Sequence, residues 1–178
     1  MQKVLSGVLV ASVLLITGCG SLAVMKPTAP LVDVEPSKAV VNFVRPKVFY
    51  GDGVNHEIWH GTTFVGTLAA GTMIQYATEP GEQAFMLDSK NNGWAYLKIN
   101  LVEGKFHYVK SNLQFVGGAQ MGVARDSDPR IEEWKKELTP VRIDVDRSKE
   151  IPESVRKDAE KHFNLLNDGK VPITVSME

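Results

Sequence analysis

The sequence predicts a mainly β protein: an antiparallel β-sandwich of about seven or eight strands with two short helices towards the C-terminus. Three observations carry that expectation. Between Ala39 and Phe115, runs of five to ten β-prone residues recur at regular spacing, each closed by a turn rich in Gly, Pro or Asn. Helical periodicity does not alternate with these runs, as a βαβ fold would require; it appears only beyond Asp126. The bulky residues of the region, among them Phe43, Ile58, Trp59, Phe64, Phe85, Trp94, Tyr96, Phe106 and Tyr108, suffice for a sizeable core.

The first element precedes the fold. Residues 1–18 have the three parts of a secretory signal: Lys3, a largely apolar run from Val4 to Ile16 that includes Ser6, Gly7 and Ser12, and the small residues Thr17 and Gly18. The run is thirteen residues, too short to span a hydrocarbon core as a helix. An ordinary signal peptidase wants a small residue where Ile16 stands. Ile16-Thr17-Gly18-Cys19 instead resembles the lipobox of bacterial lipoproteins. That resemblance implies diacylglycerol on the Cys19 sulfur, cleavage before it, and acylation of the new amine. Several acyl chains anchor a protein stably where one is marginal.

Other properties follow from this reading. Cys19 is the only cysteine, so the body must hold together without disulfides in an oxidising compartment. The resemblance implies a cell-envelope location. Gly20, not the aspartate of an inner-membrane retention signal, follows the cysteine. The outer membrane, with the body facing the periplasm, is therefore expected. Lys3 leaves with the signal, and the rest is slightly acidic, with 21 Asp and Glu. Nothing in that balance points to nucleic acid or to an anionic membrane face.

Gly20 to Pro36 carries Pro27, Pro30 and Pro36 without sustained periodicity, and is expected to be a semi-rigid tether. At the polyproline rise it would lift the body by up to ~50 Å. The alternative is that Leu31, Val32 and Val34 dock as an edge strand. The expected organisation is a signal over 1–18, a lipidated N-terminus and tether over 19–36, and one β-sandwich domain with a helical C-terminal part over 37–178.

Ala39 to Val44 is a β-branched run stopped by Arg45-Pro46, and Gly51-Asp52-Gly53 is a turn. Val54 to His60 alternates, and Gly61-Thr62 turns it into Thr63 to Leu68. Ala70-Gly71 leads into Thr72 to Thr78. Glu79-Pro80-Gly81-Glu82 is a strong turn before Gln83 to Leu87, with Gly81 suited to a positive φ. Asn91-Asn92-Gly93 precedes Trp94 to Leu101, and Glu103-Gly104-Lys105 precedes Phe106 to Phe115. Gly66, inside a strand, marks a bulge or a close backbone approach.

Four stretches, Val41 to Pro46, Phe64 to Leu68, Glu79 to Glu82 and Leu101 to Val109, together resemble an uncharacterised group of bacterial lipoproteins. Their central domain is similar to the small PEGA and carboxypeptidase-regulatory β-sandwiches. The resemblance covers about residues 39–117 and departs from the pattern at His107 and over His56 to His60. Its motifs are turn and core chemistry, so it implies a fold and no activity.

Gly117 to Gly122 is expected to be a glycine-rich loop or an irregular strand end. It lacks the Gly-Lys-Ser/Thr of a phosphate loop. Asp128 fits the N-cap of a helix with Pro129 at its first position, and Ile131, Trp134 and Leu138 share one face before Pro140 stops it. Val141, Ile143 and Val145 alternate as a further strand. A second helix follows Pro152, with an apolar stripe of Val155, Ala159, His162, Phe163 and Leu166, and Asp168-Gly169 ends it. Val171 to Val175 fits a last short strand.

His56-Glu57-Ile58-Trp59-His60 matches H-E-x-x-H. On a helix that spacing aims both imidazoles at one zinc and leaves Glu57 as the base for its water. On a strand the same two histidines stand ~13 Å apart and cannot share an ion. Gly53 and Gly61 leave room for barely two helical turns, and Thr62-Thr63-Phe64-Val65 favours β, so a strand is expected. No G-x-S-x-G elbow is present. Glu132-Glu133 and Lys135-Lys136 read as a solvated helix face, and Trp59, Trp94 and Trp134 as core rather than a binding surface.

The functional expectation is a lipid-anchored envelope protein with a non-catalytic binding or structural role, needing no cofactor and no metal. Its partners are the membrane, through lipid on Cys19, and another envelope protein or glycan. The alternatives are a periplasmic zinc hydrolase using His56, Glu57 and His60, and a small-ligand-binding β domain.

Overall fold

A computed structural model describes residues 21–173. The expected signal, Cys19 and the end of the last expected strand lie outside the described residues. Val171 to Ile173 take no strand conformation. Among the described residues the elements run β1 (Met25–Pro27), β2 (Ala39–Arg45), β3 (His56–His60), β4 (Thr63–Leu68), β5 (Thr72–Thr78), β6 (Gly81–Asp88), β7 (Trp94–Leu101), β8 (Phe106–Gln114), β9 (Gly118–Val123), α1 (Arg130–Glu137), β10 (Thr139–Ile143) and α2 (Glu153–Asn167).

The strands form two sheets, a six-stranded one in the order β1-β10-β5-β2-β8-β9 and a four-stranded one in the order β4-β3-β6-β7. The smaller sheet is antiparallel throughout. The larger is mixed, which corrects the antiparallel sandwich of seven or eight strands. β10 runs parallel to β5, and β2 runs parallel to β8. The reason is topological. A parallel pair needs a crossover, and here the whole smaller sheet lies between β2 and β8 in the chain.

Alternate side chains on each strand serve two different cores. Ala39, Val41 and Phe43 of β2 face Ile58, Phe85, Leu87 and Leu97 between the sheets, with Phe43 edge-on to Phe85 at 5.1 Å. On the outer face of the larger sheet, Val44, Met73 and Tyr108 pack under Ile131, Trp134 and Leu138 at α1. On the outer face of the smaller sheet, Trp59, Met86 and Tyr96 pack under Ala159 and Leu166 of α2. The result is four layers: helix, sheet, sheet, helix. Because both faces are covered, β2 is buried at every position, as near-continuous apolar strands are. Each large apolar side chain so buried contributes ~1.5–3 kcal/mol.

Both helices end as their sequences foretell. Asp128 Oδ1 accepts the Arg130 backbone N–H at 3.0 Å, supplying the cap in front of α1. After α2, Gly169 takes a φ of 66°. Its N–H and that of Lys170 donate to the Leu166 and Leu165 carbonyls at 3.2 and 2.9 Å, a Schellman closure.

Two segments depart from expectation. The glycine-rich loop expected from Gly117 is a hairpin turn followed by strand β9, paired with β8 from Gln114↔Gly118 to Val109↔Val123. Gly117 and Gly118 take the positive φ values of the turn, and Ala119 and Met121 then enter the central core.

The tether expected over 19–36 is not free where it is described. Leu22 and Ala23 donate their N–H groups to Glu57 Oε1 and Thr67 Oγ1, at 3.0 and 3.3 Å. Val24 donates to Ser148 Oγ at 3.0 Å, and Met25–Pro27 pairs with β10. Leu31 is held through both backbone groups by Gln75. The docked edge strand is therefore Met25–Pro27 rather than Leu31 to Val34, and Val32 stays exposed. Gly66 makes room for it. At the bulge in β4 its missing side chain leaves space that Met25 Cε and Ile74 Cδ1 fill, each 3.0 Å from where a Cβ would stand.

Candidate interaction surface

The H-E-x-x-H segment is strand β3, and its side chains do not converge. His56, Ile58 and His60 face the space between the sheets, while Glu57 and Trp59 point out. His56 is fully buried, with Nδ1 3.2 Å from Ser111 Oγ. Burial, with the nearby Arg45 charge, pushes its pKa down to about 3. His60 meets Tyr76 Oη at 3.1 Å and Gln83 Oε1 at 2.8 Å. Glu57 Oε2 accepts the Thr67 hydroxyl at 2.6 Å, beside its bond to Leu22. Burial raises the Glu57 pKa, partly offset by those two donors. Among the described residues no group of three His, Cys, Asp or Glu side chains is placed to hold a metal ion. The alternative set of His56, His60 and Glu57 thus lacks the geometry its chemistry needs, because it requires a helix.

The tryptophans are mostly core. Trp59 lies under α2, Trp134 packs from α1 onto the larger sheet, and Trp94 stacks on His162 of α2 at 4.3 Å. Glu132 pairs with Lys135 on an exposed face of α1. An open groove of about 400 Å³ runs beside the start of α1, lined by Lys110, Arg125, Asp128, Arg130 and Trp134. Arg130 grips Asp128 and holds its carboxyl down to about 2. This is a shallow, charged groove, not the enclosed apolar chamber that a small apolar ligand would fill.

A different feature stands out at one end of the sandwich. Arg45, 3 % exposed at the end of β2, donates Nη1 to the Leu68 carbonyl at 3.0 Å and Nη2 to the Gly51 carbonyl at 2.7 Å. Asp52 Oδ1 accepts the Val48 N–H at 2.9 Å, and the Val54 N–H closes on the Gly51 carbonyl at 3.0 Å. Gly51 has a φ of 89° and lies against Leu113. These bonds brace the loop over 46–55 from below.

The braced loop turns apolar side chains outward. Phe49 is fully exposed at 108 %, and Val48 and Tyr50 are about half so. The β8–β9 turn adds Phe115 at 85 % and Val116 at 80 %. The rings of Tyr50 and Phe115 meet edge-on at 5.7 Å, which joins the two loops into one cluster. Single exposed apolar residues are ordinary, whereas five gathered on two adjoining loops form a candidate contact surface. Sequence reasoning passed over them. The available signal was an apolar triplet, Val48-Phe49-Tyr50, between Pro46 and the Gly51-Asp52-Gly53 turn, with Phe115-Val116 before a second glycine turn.

No protein-family model matches this chain, and no curated protein matches it significantly.

Proposed function

We propose that this chain is a lipid-anchored protein of the bacterial cell envelope with a non-catalytic binding or bracing role, exercised through the aromatic loop cluster. The lipobox at Ile16 to Cys19 supports the anchor. The observation that carries the role is the cluster itself: Val48, Phe49 and Tyr50, exposed on a loop that Arg45 and Asp52 brace, with Phe115 and Val116 on the adjoining β8–β9 turn. A stiff apolar surface loses little entropy when it is covered. The titratable residues that sequence singled out are committed to structural bonds instead, as His56, Glu57 and His60 are. The likeness to lipoproteins with PEGA-like sandwiches is part of the same proposal.

Two measurements test it. Mass spectrometry of the native protein is expected to find acylated Cys19 as the first residue. An unmodified Cys19 still preceded by residues 1–18 overturns the anchor. A photo-reactive side chain at position 49, activated in intact cells, is expected to label an envelope component. Labelling by bulk water alone, with the protein properly folded, removes the contact role.

A further inference from the structure

We infer that the aromatic loop cluster is a second membrane contact: Phe49 and Phe115 enter the interface of the same leaflet that holds the lipid on Cys19. This rests on the proposed anchor and names the occupant of the proposed surface.

Little chain separates the lipid from the fold. Leu22 is already bonded to Glu57, and Ala23 to Thr67. Three Cα-to-Cα steps separate Cys19 from Leu22, so the acylated residue lies within ~11 Å of the docked backbone. A free tether would have allowed up to ~50 Å. The body therefore rests on the bilayer instead of standing off from it.

Register shows which part of the body lies nearest. Glu57 and Thr67 are opposite each other at the end of the β3–β4 hairpin, one residue in from His56 and Leu68. Leu68 is the carbonyl that Arg45 holds, and the other arm of Arg45 holds Gly51 in the exposed loop. The leash and the aromatic loops thus belong to the same end of the sandwich. The opposite end, with the β7–β8 turn at Val102, lies the whole nine-residue length of β8 from Phe115, ~30 Å away.

The chemistry of the cluster suits an interface. Phe and Val supply apolar area, Tyr50 has an apolar body with a polar tip, and exposed Lys47 flanks them where headgroups would lie. Interfacial elements settle ~5–10 Å into the headgroup and acyl boundary, a depth that side chains on a loop tip can reach.

The test uses the acylated protein in phosphatidylethanolamine–phosphatidylglycerol vesicles. With Cys19 blocked by lipid, Phe49→Cys, Phe115→Cys and Val102→Cys each provide a unique thiol for an environment-sensitive dye. All three positions are exposed, and thermal melts matching the parent exclude misfolding. Blue-shifted emission at 49 and 115, quenched several-fold more strongly than at 102 by lipids carrying a shallow nitroxide, is the expected result. Emission at 49 and 115 that stays water-like while the vesicles retain the protein overturns this inference and leaves the anchor intact. Shielding of position 49 before vesicles are added means that another copy or a bound glycan occupies the surface, and also overturns it. Protein that washes off the vesicles, with Cys19 found unacylated, brings down the anchor reading as well.

Discussion

Acidification should destabilise this fold through His56, and the size of the effect follows from where that ring sits. The imidazole is fully buried, its Nδ1 is engaged with Ser111, and its Nε2 has no hydrogen-bond partner among the described residues. Protonation there would add a charge near the buried Arg45 guanidinium, and the folded pKa falls from 6.5 to about 3. The unfolded chain takes up a proton below 6.5 that the folded chain refuses. The stability linked to His56 is therefore intact above 6.5 and is lost progressively as pH falls towards 3. At 1.36 kcal/mol per unit, the loss between pH 7.5 and pH 5 is about 2 kcal/mol. Glu57 and Asp88 act in the opposite sense, because burial raises both pKa values. The comparison must therefore be with a variant. Urea unfolding of the parent and of His56→Gln, followed from pH 7.5 to 5, should show a parent curve that falls more steeply by about 2 kcal/mol. Parallel curves would mean that His56 titrates alike in both states, and would overturn this account of its burial.

Other perturbations have equally definite outcomes. Arg45→Leu strands the Leu68 and Gly51 carbonyls and should cost about 2–4 kcal/mol, with faster amide exchange at Val48 and Val54. Gly66→Ala drives a Cβ against Met25 and Ile74 at a φ of 154° and should cost about 1–3 kcal/mol, with new exchange at Leu22 and Ala23 as β1 loosens. Leu166→Ala opens the seam between α2 and the smaller sheet, should cost about 2–5 kcal/mol, and should red-shift the Trp59 fluorescence. Metal analysis of the purified protein should find less than stoichiometric zinc, and His60→Ala should not change it; bound zinc lost in that variant would restore the hydrolase alternative.

Much of this architecture is written locally, and that part reads well from sequence. The strands from Ala39 to Gln114 declare themselves through turns such as Glu79-Pro80-Gly81. Both helices do so through a cap at Asp128 and a glycine stop at Gly169. Gly53 and Gly61 correctly told against a helix at His56 to His60. What failed to read is what depends on distant partners. β1 exists because Val24 meets Ser148, 124 positions away, and because Gly66 vacates space for Met25. No local pattern signals either. The parallel pairing of β2 with β8 is a matter of strand order, which alternation does not encode. Strand β9 was hidden by its glycines, which turn the hairpin before Ala119 resumes the alternation. The aromatic cluster escaped because an apolar triplet in a loop looks locally like a frayed strand. Only the bracing from Arg45 turns Val48 to Tyr50 into a surface.

The union of β2 with β8 also constrains how the molecule comes into being. Val40 lies beside Phe106 and Val44 beside Lys110, so the heart of the larger sheet stays incomplete until the smaller one has been synthesised and delivered. A nascent chain ending before residue 106 would carry β2, apolar apart from Asn42 and Arg45, with one flank open to strays. Loop closure across such a span is slow compared with local hairpins. An unpaired apolar flank is a template for aggregation while it waits. Holdase chaperones should therefore matter more to the yield of this protein than to its lifetime once assembled, and a pulse of synthesis without them should leave clumped precursors rather than unfolded monomers.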